Sequence, residues 1–168
     1  MEQRVQYTLY IIRLRVHLMI LSLSSSKERI FMDNIIIEKI WQDSNEIELR
    51  VTAKSEYVQA KQSCYVEDDA IMMNADKIEA YMKNYDIECY LEFGTKIGNF
   101  TPAFSLTILP SQINRHVKVE VDIEIADNDK RAHRCCFYVN CELGQIERFG
   151  KLLRSIVTDE EGAVISLT

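Results

Sequence analysis

Three cysteines and a histidine fall within nine residues, His133 to Cys141, in the stretch AHRCCFYVNCELGQIERFG. Imidazole and thiolate together can hold zinc, cycle between redox states, or act as a nucleophile with its base. The element that carries them decides between these chemistries. Apolar and polar residues alternate over 132–140, which predicts a strand, and a strand sends neighbouring side chains to opposite faces. Cys135, Phe137, Val139 and Cys141 then share one face, and Cys136, Tyr138 and Asn140 share the other. Cys135 and Cys136 cannot converge on one ion. Cys135 and Cys141 stand about 20 Å apart at a rise of roughly 3.3 Å per residue. The run holds no C-x2-C pair of the kind structural zinc sites use. His133 and Cys135 share a face, and a site completed there by Cys64 or Cys89 stays open at this level. His133 and Cys136 face opposite ways, so no thiol–imidazole pair forms within the strand. His17 and His116 lack the Ser and Asp context of a hydrolase triad. The expectation is cysteines acting as small apolar core residues, with no metal and no cofactor. Five cysteines make an odd number without a disulfide framework, which fits a reducing cytosol and a cytoplasmic protein.

A second constellation is built from carboxylates. In HVKVEVDIEIA (116–126) the residues Val117, Val119, Val121, Ile123 and Ile125 face the core, and Lys118, Glu120, Asp122 and Glu124 face out. In DIECYLEF (86–93) the inward set is Ile87, Cys89, Leu91 and Phe93; the outward set is Glu88, Tyr90 and Glu92. Ser105 and Thr107 lie outward between Phe104, Leu106 and Ile108, and Cys136, Tyr138 and Asn140 complete the row. With these strands adjacent, one sheet face carries five carboxylates interleaved with Tyr90 and Tyr138. Such a face is either solvated polar surface or an interface. Like charges on neighbouring strands cost stability, and tyrosine is enriched where proteins meet. The interface reading predicts partner binding through Glu88, Tyr90, Glu92, Glu120, Asp122, Glu124 and Tyr138. Carboxylate pairs for glycoside hydrolysis or Mg2+ would need a cleft, and strand-face carboxylates are flat and open.

The elements that position these rows follow from hydrophobic period. Ile47, Leu49, Val51 and Ala53 alternate with charged residues, YVQAKQSCYV (57–66) forms a second strand, and a short strand over 35–41 precedes them. Asp68 and Asp69 offer N-caps for a helix with Ile71, Ala75, Ile78 and Met82 on one stripe, ending near Asn84. Four strands follow, over 86–93, 102–109, 116–126 and 132–140. Asn140 is placed to cap a second helix with Leu143, Ile146, Phe149, Leu153 and Ile156 on its stripe. A short strand within TDEEGAVISLT ends the chain. The order predicts an α+β fold: a mainly antiparallel sheet of six to seven strands with two amphipathic helices on one face. Trp41 and Tyr57 are expected in core or rim packing. EFGTKIGNF (92–100) has Gly94 and Gly98 but no phosphate-binding glycine pattern, and reads as a hairpin loop.

Composition bounds the rest. At 168 residues, with 47% apolar and 27% charged residues, 5 Gly and 2 Pro, the sequence suits one domain able to bury its own core. The formal charge is −6, yet residues 1–31 hold five basic and two acidic residues. The segment 32–168 therefore carries 15 basic against 24 acidic residues, and so excess negative charge that repels phosphate backbones. Nucleic-acid binding is not expected; a basic protein partner is. The apolar stretch over 7–31 is broken by Arg13, Arg15 and His17, and falls short of the ~18–20 uninterrupted apolar residues of a membrane span. Lys27-Glu28-Arg29 is encodable by an all-purine run like a ribosome-binding site, two codons ahead of Met32. Translation is therefore expected to start at Met32, with residues 1–31 a non-native or disordered extension and 32–168 a single domain that does not associate with membrane.

The phrases CYLEFG, TPAFSL, HRCCFYVN and LGQIERFGKLL resemble a group of small bacterial proteins. The layout over about 36–157 is similar to the cytosolic immunity proteins that accompany polymorphic and contact-dependent toxins. That resemblance implies a non-enzymatic protein, monomer or dimer, that neutralises a toxin domain by occlusion, and the acidic face would suit a basic toxin. The alternative is a small enzyme or ligand-binding domain using a pocket between sheet and helices.

Overall fold

The computed structural model describes residues 33–96, 101–111, 116–126 and 132–167. The expectations for residues 1–31, for Gly98 and for most of the turns over 111–115 and 127–131 lie outside them. Strands β1 (Asn34–Gln42), β2 (Ile47–Lys54) and β3 (Gln59–Val66) are followed by helix α1 (Asp68–Lys83). Then come β4 (Cys89–Phe93), β5 (Ala103–Ile108), β6 (His116–Ala126), β7 (Ala132–Glu142), α2 (Leu143–Ser155) and β8 (Val164–Ser166). The α+β class and the antiparallel pairing are as the pattern predicts. Among the described residues, eight strands are divided between two four-stranded sheets, in the orders β3-β2-β1-β8 and β4-β5-β6-β7. Period-two alternation gives each strand a core side, but it does not say which neighbour the strand takes.

The apolar sides of both sheets and both helices meet in one core. Ile35, Ile37, Leu49 and Val51 from the first sheet join Leu91, Phe104, Val121 and Val139 from the second. Ile71 and Ile78 of α1 and Leu143, Ile146, Phe149 and Leu153 of α2 complete it. Each such Leu, Ile or Phe side chain contributes about 1.5–3 kcal/mol by leaving water. Phe93 and Phe104, opposite each other in the β4–β5 register, stack at 4.5 Å. Gln62 of β3 bridges the sheets, its Nε2 donating to the carbonyls of Ala103 at 2.8 Å and Glu124 at 3.0 Å.

Local details depart from the sequence pattern in five places. Glu67, not Asp68 or Asp69, is the N-cap of α1; the two aspartates sit in the first turn, where the helix dipole favours negative charge. Asn140 lies inside β7, which runs on to Glu142, and the Glu142 N–H donates to the Gln145 side chain at 2.7 Å to begin α2. Ile87 precedes β4 and is exposed. Tyr57, in the β2–β3 turn, is 86% exposed. Trp41 is turned out to solvent because the β1–β2 register shifts between Lys39 and Trp41. Lys39, just before the shift, keeps the inward alternation of Ile35 and Ile37. Its buried ammonium donates to the carbonyls of Ile156 (3.0 Å), Val157 (3.0 Å) and Asp159 (2.6 Å), closing the end of α2. Among the described residues no helix is long and apolar enough to cross a membrane.

Candidate functional site

The β4–β7 meander sets its outward residues in rows across the sheet. One row reads Tyr90, Thr107, Glu120, Tyr138; the next reads Glu92, Ser105, Asp122, Cys136. Glu124 follows opposite Arg134. Tyr90, Glu92, Lys96, Ser105, Thr107, Glu120, Asp122, Glu124 and Arg134 line a shallow depression of about 560 Å³ on this face. The structure thus brings together five of the seven expected partner-binding residues. Tyr138 stands beside them, its hydroxyl donating to Glu120 Oε2 at 2.7 Å. Glu88 is exposed but precedes β4 and does not line the depression.

Asp122 differs from the outward, solvated carboxylate expected of its strand position. Its side chain is only 9% exposed, and two cations cover it. Lys96 Nζ lies 2.6 Å from Oδ2, while Arg134 forks onto the carboxylate with Nε at 2.9 Å and Nη2 at 2.7 Å. Burial alone would raise the Asp122 pKa. The hydrogen bonds and charges of Arg134 and Lys96 outweigh it and hold the carboxyl below its ordinary range. Lys96 also donates to Ser105 Oγ at 3.1 Å, which helps bury Ser105 on a face expected to be open. The chain leaving β4 is folded back at Gly94, whose φ of +76° suits glycine, and the Lys96 N–H donates to Glu92 Oε1 at 3.2 Å. Tyr90 is pushed up to about 12 by burial and by its 2.6 Å hydrogen bond to Glu92. Tyr138 is raised chiefly by its bond to Glu120. Both phenols therefore stay protonated at neutral pH and orient the carboxylates they touch. Four carboxylates face two cations in the depression, which leaves it negative.

Sequence reading missed Lys96 and Arg134 as members of this site; Ser105 and Thr107 it placed on the face without counting them as partner-binding. Arg134 was reachable, since it continues the Cys136–Tyr138–Asn140 alternation by one step. Lys96 was not, because a loop residue has no period to betray where its side chain lands.

The cysteine and histidine stretch separates as strand alternation predicts. Phe137, Val139 and Cys141 are buried and Cys135, expected in the core, is half-buried, while Cys136, Tyr138 and Asn140 are exposed. Burial pushes the thiols of Cys64 and Cys141 up to about 12 and that of Cys89 to about 11; Cys136 is raised by burial and by Glu120 and Asp122. These are conditions for thiols, not for reactive thiolates. Among the described residues no three His, Cys, Asp or Glu side chains gather closely enough to hold a metal ion. A comparison with protein-family models, curated proteins and solved structures finds no significant match.

Proposed function

We propose that this protein is a stoichiometric binding module of the immunity type, acting in the cytoplasm, that occludes a basic toxin domain with the outer face of β4–β7. One observation carries the reading: Glu92, Glu120, Asp122 and Glu124 converge with Tyr90 on a single concave patch, and Tyr138 flanks it. Pre-oriented carboxylates beside rigid aromatic side chains supply both electrostatic steering and low-entropy contact area. The raised thiol pKa values also favour binding over cysteine chemistry. The interface would comprise Glu88, Tyr90, Glu92, Glu120, Asp122, Glu124 and Tyr138, with Asp122 acting mainly to hold Lys96 and Arg134 in place. The test is to look in the neighbouring gene for a secreted protein with a C-terminal toxin domain and to co-express that domain with this chain. Wild-type protein should protect cells and co-purify with that domain, and Glu120→Lys/Glu124→Lys should lose both while keeping its thermal midpoint. Protection by the folded double variant would show that this face is not the interface.

A further inference from the structure

The outer face of the first sheet holds a different arrangement, independent of the β4–β7 face. Trp41 of β1, Glu48 of β2 and Tyr65 of β3 stand in one cross-strand row. The two aromatic residues are separated by a strand, yet their rings meet edge to face, 6.5 Å between centroids and 83° between planes. They therefore reach toward one another across the strand that carries Glu48. Both remain open to solvent, Trp41 at 41% and Tyr65 at 51%. The register shift in β1 is what brings Trp41 to this face. With Lys39 inward, unbroken alternation would have pointed Trp41 into the core. Bulges that re-aim one side chain are concentrated beside functional surfaces.

The charge around the pair is one-sided. Glu48 makes no ion pair among the described residues. Its strand neighbour Arg50 is already held by Glu38 at 3.2 Å. Glu46 and Glu67 line a depression of about 330 Å³ that Tyr65 shares. Solvent-open aromatic rings in one row with a carboxylate that makes no ion pair are complementary to a cationic side chain. The ring quadrupoles and the carboxylate attract the same charge, and tryptophan is the strongest of the aromatic cation acceptors.

We infer that the Trp41–Glu48–Tyr65 row is a docking site for an arginine or lysine side chain presented by a partner protein. The cation would stack on the solvent-open ring surface of the Trp41–Tyr65 pair and Glu48 would neutralise it, with Glu46 and Glu67 drawing it in. Trp41 is the only tryptophan in the chain, so its fluorescence reports this site alone. An oligo-arginine peptide titrated into the full chain should change Trp41 emission saturably, and the same peptide with citrulline in place of arginine should not. Glu48→Gln and Tyr65→Ala should each weaken the response about tenfold, a factor typical of one lost charge or ring contact. Tyr65→Phe should keep it, because the ring and not the hydroxyl makes the site. Glu120→Lys/Glu124→Lys should also keep it, which separates this site from the face of the other sheet. An unchanged Trp41 signal at saturating peptide would overturn the inference. So would a Glu48→Gln variant that responds like wild type at an unaltered thermal midpoint.

Discussion

Asp122 carries two cations on one carboxylate, and its surroundings set how it behaves with pH. Lys96 is the more committed partner, with a side chain only 10% exposed; Arg134 is 61% exposed and sits on the edge strand. Because the folded state holds the Asp122 pKa below the ordinary 3.8, the unfolded chain takes up the proton first as the solution is acidified. The stabilisation is therefore complete above the unfolded value of about 3.9 and is lost as pH falls toward the folded one. Asp122→Asn should remove that part of the acid dependence, visible as a shallower fall in urea midpoint between about pH 5 and 2. At neutral pH the same variant leaves Lys96 largely buried without its anion, a loss of about 3 kcal/mol in chemical denaturation. An Asp122→Asn variant as stable as wild type at pH 7 would mean that the pair is effectively solvated.

Between elements, the tightest constraint is where the helices touch. A Cβ added at Gly150 of α2 would lie 2.7 Å from Cγ2 of Ile78 in α1. That methyl sits on a β-branched carbon and cannot swing aside, so the helices must separate. Gly150→Ala should cost about 1–3 kcal/mol in overpacking, partly offset by the roughly 1 kcal/mol alanine gains in a helix interior. Urea unfolding of Gly150→Ala, Ile78→Ala and the double variant checks this. The double should be less destabilised than the two singles added together, because truncating Ile78 removes the clash. This contact was not legible in the sequence, where Gly150 interrupts an otherwise regular stripe of Ile146, Phe149 and Leu153. What was legible shares one cause: a single strong period. Alternation placed β2, β5, β6 and β7, and the 3.6-residue stripe placed both helices, because each element has one apolar side to bury. The assignments that failed depended on something outside the element. Ile87 stays exposed because β4 begins only at Cys89, Trp41 is turned by a register shift, and Asp122 and Ser105 are covered by a lysine from a loop. The outward rows of the candidate site, Arg134 among them, were readable from alternation alone; the loop cation Lys96 was not.

At the scale of the whole molecule, charge and topology work together. The second sheet is an uninterrupted meander, so Tyr90, Glu92, Glu120 and Glu124 come from segments close in sequence and hold their register through adjacent pairings. The last strand, β8, returns to the first sheet beside β1, and Lys39 fastens the end of α2 near that junction. The negative face is thus carried on a framework closed from both ends of the described chain. On the proposed function, a basic partner approaching it would be steered by a field that salt screens over roughly 8 Å at physiological ionic strength. The association rate with the proposed toxin-domain partner should fall about tenfold or more from low to physiological salt, while the dissociation rate changes little. Stopped-flow mixing at several ionic strengths measures both. Glu120→Lys/Glu124→Lys should flatten that dependence. The same charge change placed in the turn before β8, as Glu160→Lys/Glu161→Lys, should leave most of it, because screening confines steering to charges near the docking face. Equal flattening by both variants would mean that net charge alone draws the partner in, and that the β4–β7 face has no privileged part in the encounter.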